Sequence, residues 1–281
     1  MIKHKKQRAF LLIVMVLSLS ACSSKIIYNN LDWLTYWYID DYVALTDEQE
    51  TLFDPVLTQF LDWHRQSELQ SYITQIKRIQ TDINNGVKRS DIEGYIKAFT
   101  DSWQTILVRL EPGIVKVAYT LKEKQVEAFL STNEQRNLDQ IEEHQSESKQ
   151  QRLDNRLDKI ENRIESYTGK LTRAQKQLLK NSNDKLMPTF DEWIAFRRAW
   201  LNSISAAFDL KSDKSEFEKA LSSAILQSEN LRSATFKQKI EHNQRLWVVT
   251  LEQLINSLDE KQRKKLNGKL EDTIEDIEAL L

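Results

Sequence analysis

The sequence has few of the residues that interrupt helices or crosslink a chain. It contains five glycines, three prolines and one cysteine, Cys22, in 281 residues. A single cysteine excludes an intrachain disulfide, so the fold has to be stabilised by packing. The shortage of glycine and proline, beside abundant leucine, lysine, glutamate and glutamine, predicts an almost entirely helical chain. No segment alternates apolar and polar residues between turn residues, so no sheet is expected.

The chain also lacks an excess of basic residues. The 40 lysines and arginines stand against 42 acidic residues. Four of the basic residues lie in the first eight positions, and without that segment 36 basic residues face 42 acidic ones, a net charge of −6. This balance argues against nucleic acid as a partner. The mixed order of the charges is typical of a solvated, helix-rich surface.

The N-terminus has the order of segments found in secretory signals. Basic residues precede an apolar run from Ala9 to Leu17, and small residues follow it. The run is shorter than the roughly 20 residues of a membrane-spanning helix. Leu19-Ser20-Ala21-Cys22 resembles the bacterial lipobox, which implies cleavage before Cys22 and lipid on its sulfur and new amine. The other interpretation is an uncleaved anchor with an incidental cysteine.

The lipobox resemblance implies a location as well as an anchor. Two or more acyl chains on Cys22 would hold the protein on a membrane durably. An aspartate after the cysteine retains such lipoproteins at the inner membrane, so Ser23 implies the periplasmic face of the outer membrane. We therefore predict a signal peptide over residues 1–21 and a lipidated tether with a first helix over residues 22–44.

Residues 28–42 form a densely aromatic stretch close to the predicted lipid. Trp33 and Trp37 share one helical face, and Tyr38 lies on another. Because aromatic rings suit the headgroup level of a bilayer, these three are candidates for contact with a membrane or a partner. The alternative is a first helix packed into the core.

The same stretch carries a family resemblance. Tyr-Asn-Asn-Leu-Asp-Trp-Leu, Trp-Tyr, Asp-Asp-Tyr and Leu-Thr-x-x-Gln follow one another within residues 28–49. This order resembles a family of proteobacterial lipoproteins known as a domain of unknown function. The resemblance implies a helical envelope lipoprotein and supplies no activity.

Four similar pentads mark predicted helix starts. In a capping box the N-cap side chain and the glutamine three residues later each accept a hydrogen bond from the other's backbone N–H. The two closest pentads are Leu45-Thr46-x-x-Gln49 and Leu171-Thr172-x-x-Gln175. A looser pair is Leu121-Lys122-x-x-Gln125 and Leu258-Asp259-x-x-Gln262. Lysine is not a capping residue, so Thr120 with Glu123 is the alternative cap in the third.

The order of the pentads repeats, which raises the hypothesis of two related helical units, residues 45–168 and 169–281. Leu-Thr-x-x-Gln pairs also resemble the Spy and CpxP family of helical periplasmic proteins, which act as ATP-independent chaperones or envelope-stress accessories. By that resemblance the pentad residues are structural caps and not a ligand site. The chain differs from the family in length, lipid anchor, aromatic opening and acidic balance.

The apolar pattern predicts the remaining helices. One helix is expected to carry an apolar stripe of Ile96, Phe99, Trp103, Ile106, Leu107 and Leu110, and to be interrupted at Pro112-Gly113. From Ile114 one helix is predicted as far as Tyr167, with a polar middle over residues 142–151 that projects into solvent. Its seam over residues 153–167 indicates an intramolecular hairpin, with a dimeric coiled coil as the alternative. A kink is expected at Pro188. The predicted fold is an all-α, elongated antiparallel bundle with long, partly projecting helices.

The sequence lacks the usual frames of enzyme chemistry. It has no glycine-rich phosphate loop, no His-Glu-x-x-His and no Gly-x-Ser-x-Gly. His64 is interpreted as a boundary residue, and His144 as a solvated one. Arg197-Arg198 is interpreted as packing on tryptophan rings, with phosphate or glycan binding as the alternative. We predict no metal, no cofactor and no enzymatic activity.

Two functions remain. The favoured hypothesis is a non-enzymatic, membrane-tethered binding module, chaperone-like or an envelope-stress accessory, which should have an exposed apolar concavity for an unfolded client or partner. The alternative is an assembly scaffold that contacts another envelope component through an arm formed by residues 134–167. The scaffold should have a mainly polar surface with one patch on that arm.

Overall fold

The computed structural model describes residue 25 and residues 27–281. These residues form helices and no strand, so the predicted all-α bundle is confirmed. The predicted signal peptide and Cys22 lie outside the described residues. Within the described chain, no helix is both long and apolar enough to cross a bilayer.

The helices follow the chain in an unbroken series of short connections. In the first half they are α1 (Leu31–Ile39), α2 (Asp47–Trp63), α3 (Leu69–Asn85), α4 (Arg89–Ala118), α5 (Glu123–Ser146) and α6 (Lys149–Thr168). A π-helical turn, His64–Glu68, joins α2 to α3 without a break. In the second half they are α7 (Arg173–Asn183), α8 (Phe190–Asp209), α9 (Lys214–Leu226), α10 (Ala234–Asn256) and α11 (Glu260–Glu278). A 3-10 turn, Ser228–Leu231, precedes α10.

Two of the glycines end helices in the way that their missing side chain allows. Gly86 follows α3 with φ 94°, and Gly169 follows α6 with φ 86°. Residues with a Cβ rarely adopt this left-handed region, so a glycine there stops a helix at low cost.

Three expectations about helix boundaries were wrong. The helix predicted from Ile114 to Tyr167 is divided, because the chain turns at residues 119–122 and again at 147–148. Pro188 does not kink a long helix, since it lies in the connection between α7 and α8. Pro112-Gly113 does not interrupt α4, which continues to Ala118.

The continuity of α4 has a packing cause. Gly113 is buried where α4 crosses α2, and a Cβ placed there would overlap the side-chain methyl groups of Val56. Pro112 is exposed and lines the cleft between α2 and α4. The close approach of the two helices therefore requires glycine at position 113, and this contact compensates for the weak helix propensity of the Pro-Gly pair.

The core joins the two predicted units. Val115 and Ala118 of α4 share one cluster with Ile204, Ala207 and Phe217. The other mixed clusters combine Ile83, Val87 and Ile92 with Val248, and Leu157, Ile160 and Ile164 with Leu171, Leu179 and Leu254. The last helix, α11, packs against both α3 and α6. Residues on either side of position 169 thus bury each other's apolar surface and form one body.

The two helices of the arm pack on this body rather than on each other. The seam of α6 packs into the cluster with Leu171 and Leu179, so its contacts are intramolecular, and α5 packs against α8. In the second half of α5, Asn137 is fully buried and accepts a hydrogen bond from Arg197 Nε at 2.6 Å. Residues near the tip, around 142–151, are mostly exposed. Only the tip of the arm extends into solvent.

Replacement of Gly113 by alanine should lower the free energy of unfolding by about 1–3 kcal/mol, because overpacking against Val56 outweighs the helix propensity that alanine gains. The same change made in a Val56→Ala background should be close to neutral. Urea denaturation followed by circular dichroism measures both.

The matched control is Gly268→Ala in α11, where a new Cβ meets nothing within 4 Å. That variant should be unchanged or more stable by up to about 1 kcal/mol. Equal effects at positions 113 and 268 would show that propensity, and not the contact with α2, decides the outcome.

Candidate functional site

The pentad residues lie at helix starts. Thr46 is the N-cap of α2; its hydroxyl accepts a hydrogen bond from Gln49 N at 3.4 Å, and the Gln49 side chain accepts one from Thr46 N at 2.9 Å. The same reciprocal bonds cap α7 through Thr172 and Gln175, and α11 through Asp259 and Gln262. The leucines that open these pentads pack inwards: Leu171 and Leu258 are buried, and Leu45 is partly buried.

The third pentad is only half of a capping box. Lys122 occupies the N-cap position of α5, and its side chain makes no capping bond. Gln125 still accepts a hydrogen bond from Lys122 N at 2.9 Å. The alternative cap, Thr120, instead donates its hydroxyl proton to Val117 O at 2.7 Å, so that expectation was wrong.

The four glutamines pair in a way that the sequence pattern does not reveal. Gln49 Nε2 donates to Gln125 Oε1 at 3.0 Å, and Gln125 Nε2 donates to Gln49 Oε1 at 2.7 Å. Gln175 and Gln262 exchange the same two bonds, both at 2.9 Å. Each glutamine pair therefore joins the starts of two helices that are far apart in the sequence.

Each side-chain amide also donates a hydrogen bond to a backbone carbonyl in the turn, or corner, that precedes its partner's helix. The acceptors are Thr120 O for Gln49, Ala44 O for Gln125, Ser257 O for Gln175 and Lys170 O for Gln262. Both glutamine pairs thus use the same set of bonds in the same order. Because the amides are saturated inside the protein, they offer no free group to a ligand.

Gln175→Ala should lower the free energy of unfolding by about 2–4 kcal/mol, because it removes a cap and leaves the buried Gln262 amide unsatisfied. The control is Gln151→Ala. Gln151 makes the same capping bonds with Ser148 at the start of α6, but it is exposed and pairs with no other glutamine in the described chain. Its loss should be about 1 kcal/mol or less. Similar losses in a denaturation assay would contradict a structural role for the glutamine pair.

The described chain begins against the π-helical turn. The Tyr28 hydroxyl lies 2.9 Å from His64 Nδ1, and the Tyr72 hydroxyl lies 3.3 Å from His64 Nε2. Arg65 Nη2 donates to Asn29 Oδ1 at 2.9 Å. Burial lowers the pKa of His64 and raises the pKa of Tyr72 to about 12, so a neutral imidazole bridges two tyrosine hydroxyls. These contacts fix the exit point of the N-terminal segment beside α2 and α3.

The aromatic residues of α1 divide between the body and solvent. Tyr36 packs edge-on against Phe53, and its hydroxyl donates to Asp54 at 2.6 Å. Trp33, Trp37 and Tyr38 are 63%, 37% and 43% exposed. No residue of α1 is fully buried, so this helix lies on the surface with its tryptophans accessible.

A groove lies between α3 and α4. We call it the apolar groove; its walls are Tyr72, Ile76, Ile79, Phe99, Trp103 and Ile106, and its volume is about 260 Å³. Phe99 is 74% exposed and Trp103 is 54% exposed. The two rings of the predicted apolar stripe thus lie largely exposed beside the space that α3 and α4 leave between them.

A wider cleft follows between α2 and α4. We call it the cationic cleft; it is lined by Val56, Phe60, Trp63, Arg109 and Lys116 among others, and its volume is about 620 Å³. The Arg109 guanidinium lies over the Trp63 ring, 5.7 Å from its centre. One face of α4 lines both openings, because the lining residues are spaced three or four apart, at positions 99, 103, 106, 109, 113 and 116.

The histidine and arginine side chains with catalytic potential make contacts within the protein. His144 stacks on Phe190 with ring centres 3.8 Å apart. Arg197 lies over the Trp193 ring at 4.9 Å, and Arg198 pairs with Glu134 at 2.6 Å, which also lowers the pKa of that carboxyl group. No group of three or more histidine, cysteine or acidic residues in the described chain is placed to hold a metal ion.

Comparisons with known proteins give a family without an assigned activity. No curated protein and no solved structure matches the chain. The resemblance to the Spy and CpxP family therefore gains no support from a relative. A family model described as a family of unknown function (DUF6279) matches residues 41–237, more than half of the chain. The chain belongs to this family.

Proposed function

We propose that the protein is a lipid-anchored, non-enzymatic binding module at the periplasmic face of the outer membrane, which holds an extended apolar ligand along α4. The observation that carries the proposal is the apolar groove. Monomeric proteins seldom leave neighbouring large rings uncovered unless the surface binds something. Phe99 and Trp103 stand one helical turn apart at the rim of a concave apolar surface, which is the usual form of a binding site.

The groove is held open by the packing at both ends of α4. Ile92, near its start, belongs to the cluster with Ile83 and Val248. Val115 and Ala118, near its end, belong to the cluster with Phe217. A helix fixed at both ends presents its middle as a preformed surface, so a ligand would bind without a large rearrangement.

The N-terminal features support attachment to a membrane. The lipobox ends at Cys22, six residues before Tyr28, which contacts the body through His64. The exposed Trp33 and Trp37 lie on the helix that follows directly. Indole rings are favoured at the headgroup level of a bilayer, so α1 suits a position close to the anchoring membrane.

The location of the exposed rings favours the binding module over the scaffold. The scaffold hypothesis expects the principal patch on the arm, where Leu138 is 46% exposed as a single side chain. The largest exposed rings outside α1 lie instead on α4. A chaperone-like role would use the apolar groove for its client, because the pentad glutamines bond to each other inside the protein.

Cys22→Ala should abolish incorporation of radioactive palmitate, since the sulfur that would accept the lipid is removed. Undiminished labelling of the variant would contradict the lipid anchor at Cys22, but it would not affect the proposal that the apolar groove binds a ligand.

Phe99→Gln with Trp103→Gln should weaken binding of a neutral apolar fluorescent probe, such as N-phenyl-1-naphthylamine, by about tenfold or more. The loss follows from removal of two aromatic contacts, each worth about 1–2 kcal/mol. Because both side chains are exposed, the variant should fold normally by circular dichroism.

The control for this experiment is Leu138→Gln with Leu210→Gln, which replaces two exposed apolar residues away from the groove. It should bind the probe as the wild type does. If the wild type binds no probe, or if both double variants lose binding equally, the groove is not the site.

A further inference from the structure

We infer that the cationic cleft and the apolar groove form one site for an anionic phospholipid, with the phosphate at Arg109 and Lys116 and an acyl chain along Phe99 and Trp103. The inference deepens the proposed function, on which it rests, by naming the ligand of the same α4 surface. It uses three observations: the continuity of the site, the unpaired cations at one end, and the position of the N-terminal segment.

The first observation is that the two openings follow one another along α4. Arg109 lies in the cationic cleft and Tyr95 at the far end of the apolar groove, 14 residues away. At 1.5 Å per residue this is about 21 Å. One leaflet of a bilayer's hydrocarbon core is about 15 Å thick, so an extended acyl chain fits within that length.

The second observation is the distribution of charge. Neither Arg109 nor Lys116 has a carboxylate within salt-bridge distance in the described chain, although acidic residues outnumber basic ones overall. At the opposite end Lys97 pairs with Asp101 at 2.6 Å, and Arg78 lies 3.7 Å from Asp82. The unpaired cations therefore occur at one end of the site only. A ligand with one anionic end and one apolar end matches this order.

The side chains of the cationic cleft suit a phosphodiester. The guanidinium of Arg109 presents several N–H donors in a plane, which is the arrangement that binds phosphate oxygens well. Its position over Trp63 holds it beside the apolar wall formed by Phe60 and Val56. The charged head group and the glycerol region of a phospholipid would thus contact hydrogen-bond donors and aromatic rings together, as they do at a membrane interface.

The third observation is that the N-terminal segment arrives beside this site. Tyr28 bonds to His64, the residue directly after Trp63 of the cationic cleft. Tyr72, the second partner of His64, lines the apolar groove. Cys22 is six residues from Tyr28, and because Lys25, Ile27 and Tyr28 are helical, the reach is at most about 15 Å. A lipid anchor there keeps the site within reach of bilayer phospholipid, which favours a membrane lipid over a soluble phosphate.

The test uses the full chain, purified in a neutral detergent with its N-terminus as the cell makes it. Bound N-phenyl-1-naphthylamine is displaced with phosphatidylglycerol, with phosphatidylcholine of the same acyl chains, and with glycerol 3-phosphate. We expect phosphatidylglycerol to displace the probe at a concentration about tenfold below that of phosphatidylcholine, because only its head carries a net negative charge. Glycerol 3-phosphate, which has no acyl chain, should not displace it.

Variants separate the two ends of the site. Arg109→Gln with Lys116→Gln should bind the probe normally and reduce the preference for phosphatidylglycerol to about twofold or less. Arg78→Gln with Lys97→Gln, which removes the two paired cations at the far end, should retain the preference. Loss of the preference in this second variant instead would overturn the assignment of the phosphate to the cationic cleft.

The remaining outcomes distinguish this inference from the proposed function. If the wild type binds no probe, both fail. If it binds the probe but both lipids displace it equally, only the phospholipid inference fails. Displacement by a denatured polypeptide but not by phosphatidylglycerol would assign the groove to a client. If glycerol 3-phosphate displaces the probe as effectively as phosphatidylglycerol does, the cationic cleft binds a free phosphate and the inference is overturned.

Discussion

The architecture depends on the reciprocal hydrogen bonds between buried glutamine amides. A helical chain with no disulfide has to fix the corners where its helices change direction, and each corner carries unsatisfied carbonyl and N–H groups. In this protein a glutamine three residues into a helix satisfies its own N-cap, the amide of a second glutamine and the carbonyl of the neighbouring corner. One side chain thus closes a corner and joins it to another that is 76 or 87 residues away in the sequence. Buried amides that are fully satisfied also penalise alternative packings, because any other register leaves them without partners.

The long helix α4 connects these corners to the surface that we propose binds a ligand. It ends just before the turn that supplies Thr120 O to the first glutamine pair. Gly113 holds it close to α2 at one end, and the cluster around Ile92 holds it at the other. Between those points the apolar groove separates α3 from α4, and Phe99 and Trp103 are exposed in the described chain. The exposed rings therefore lie on a helix whose two ends are fixed by packing.

The sequence predicts well what is decided within one turn of helix, and less well what is decided between distant elements. Thr46, Thr172 and Asp259 can be recognised as caps because their partners lie three residues away. The exchange between Gln49 and Gln125 could not be foreseen, since a capping glutamine such as Gln151 has the same local pattern and no such partner. Phe99 and Trp103 have the spacing of core residues, and only the structure shows that they are exposed beside a groove in the described chain. In the sequence, Pro112-Gly113 indicates a helix break. The contact with Val56 that overrides their low helix propensity comes from another helix, so it is not visible in the local pattern.

The position of α11 between α3 and α6 affects the order in which the protein can mature. Ile274, at 1% exposure, is supplied by the final helix, whereas the surfaces that α11 covers belong to helices made much earlier. Until α11 is made, the apolar surfaces of α3 and α6 that it covers stay exposed. On the proposed route across the inner membrane as an unfolded strand, this delay would be useful, because these surfaces would meet their partner only after α11 had crossed.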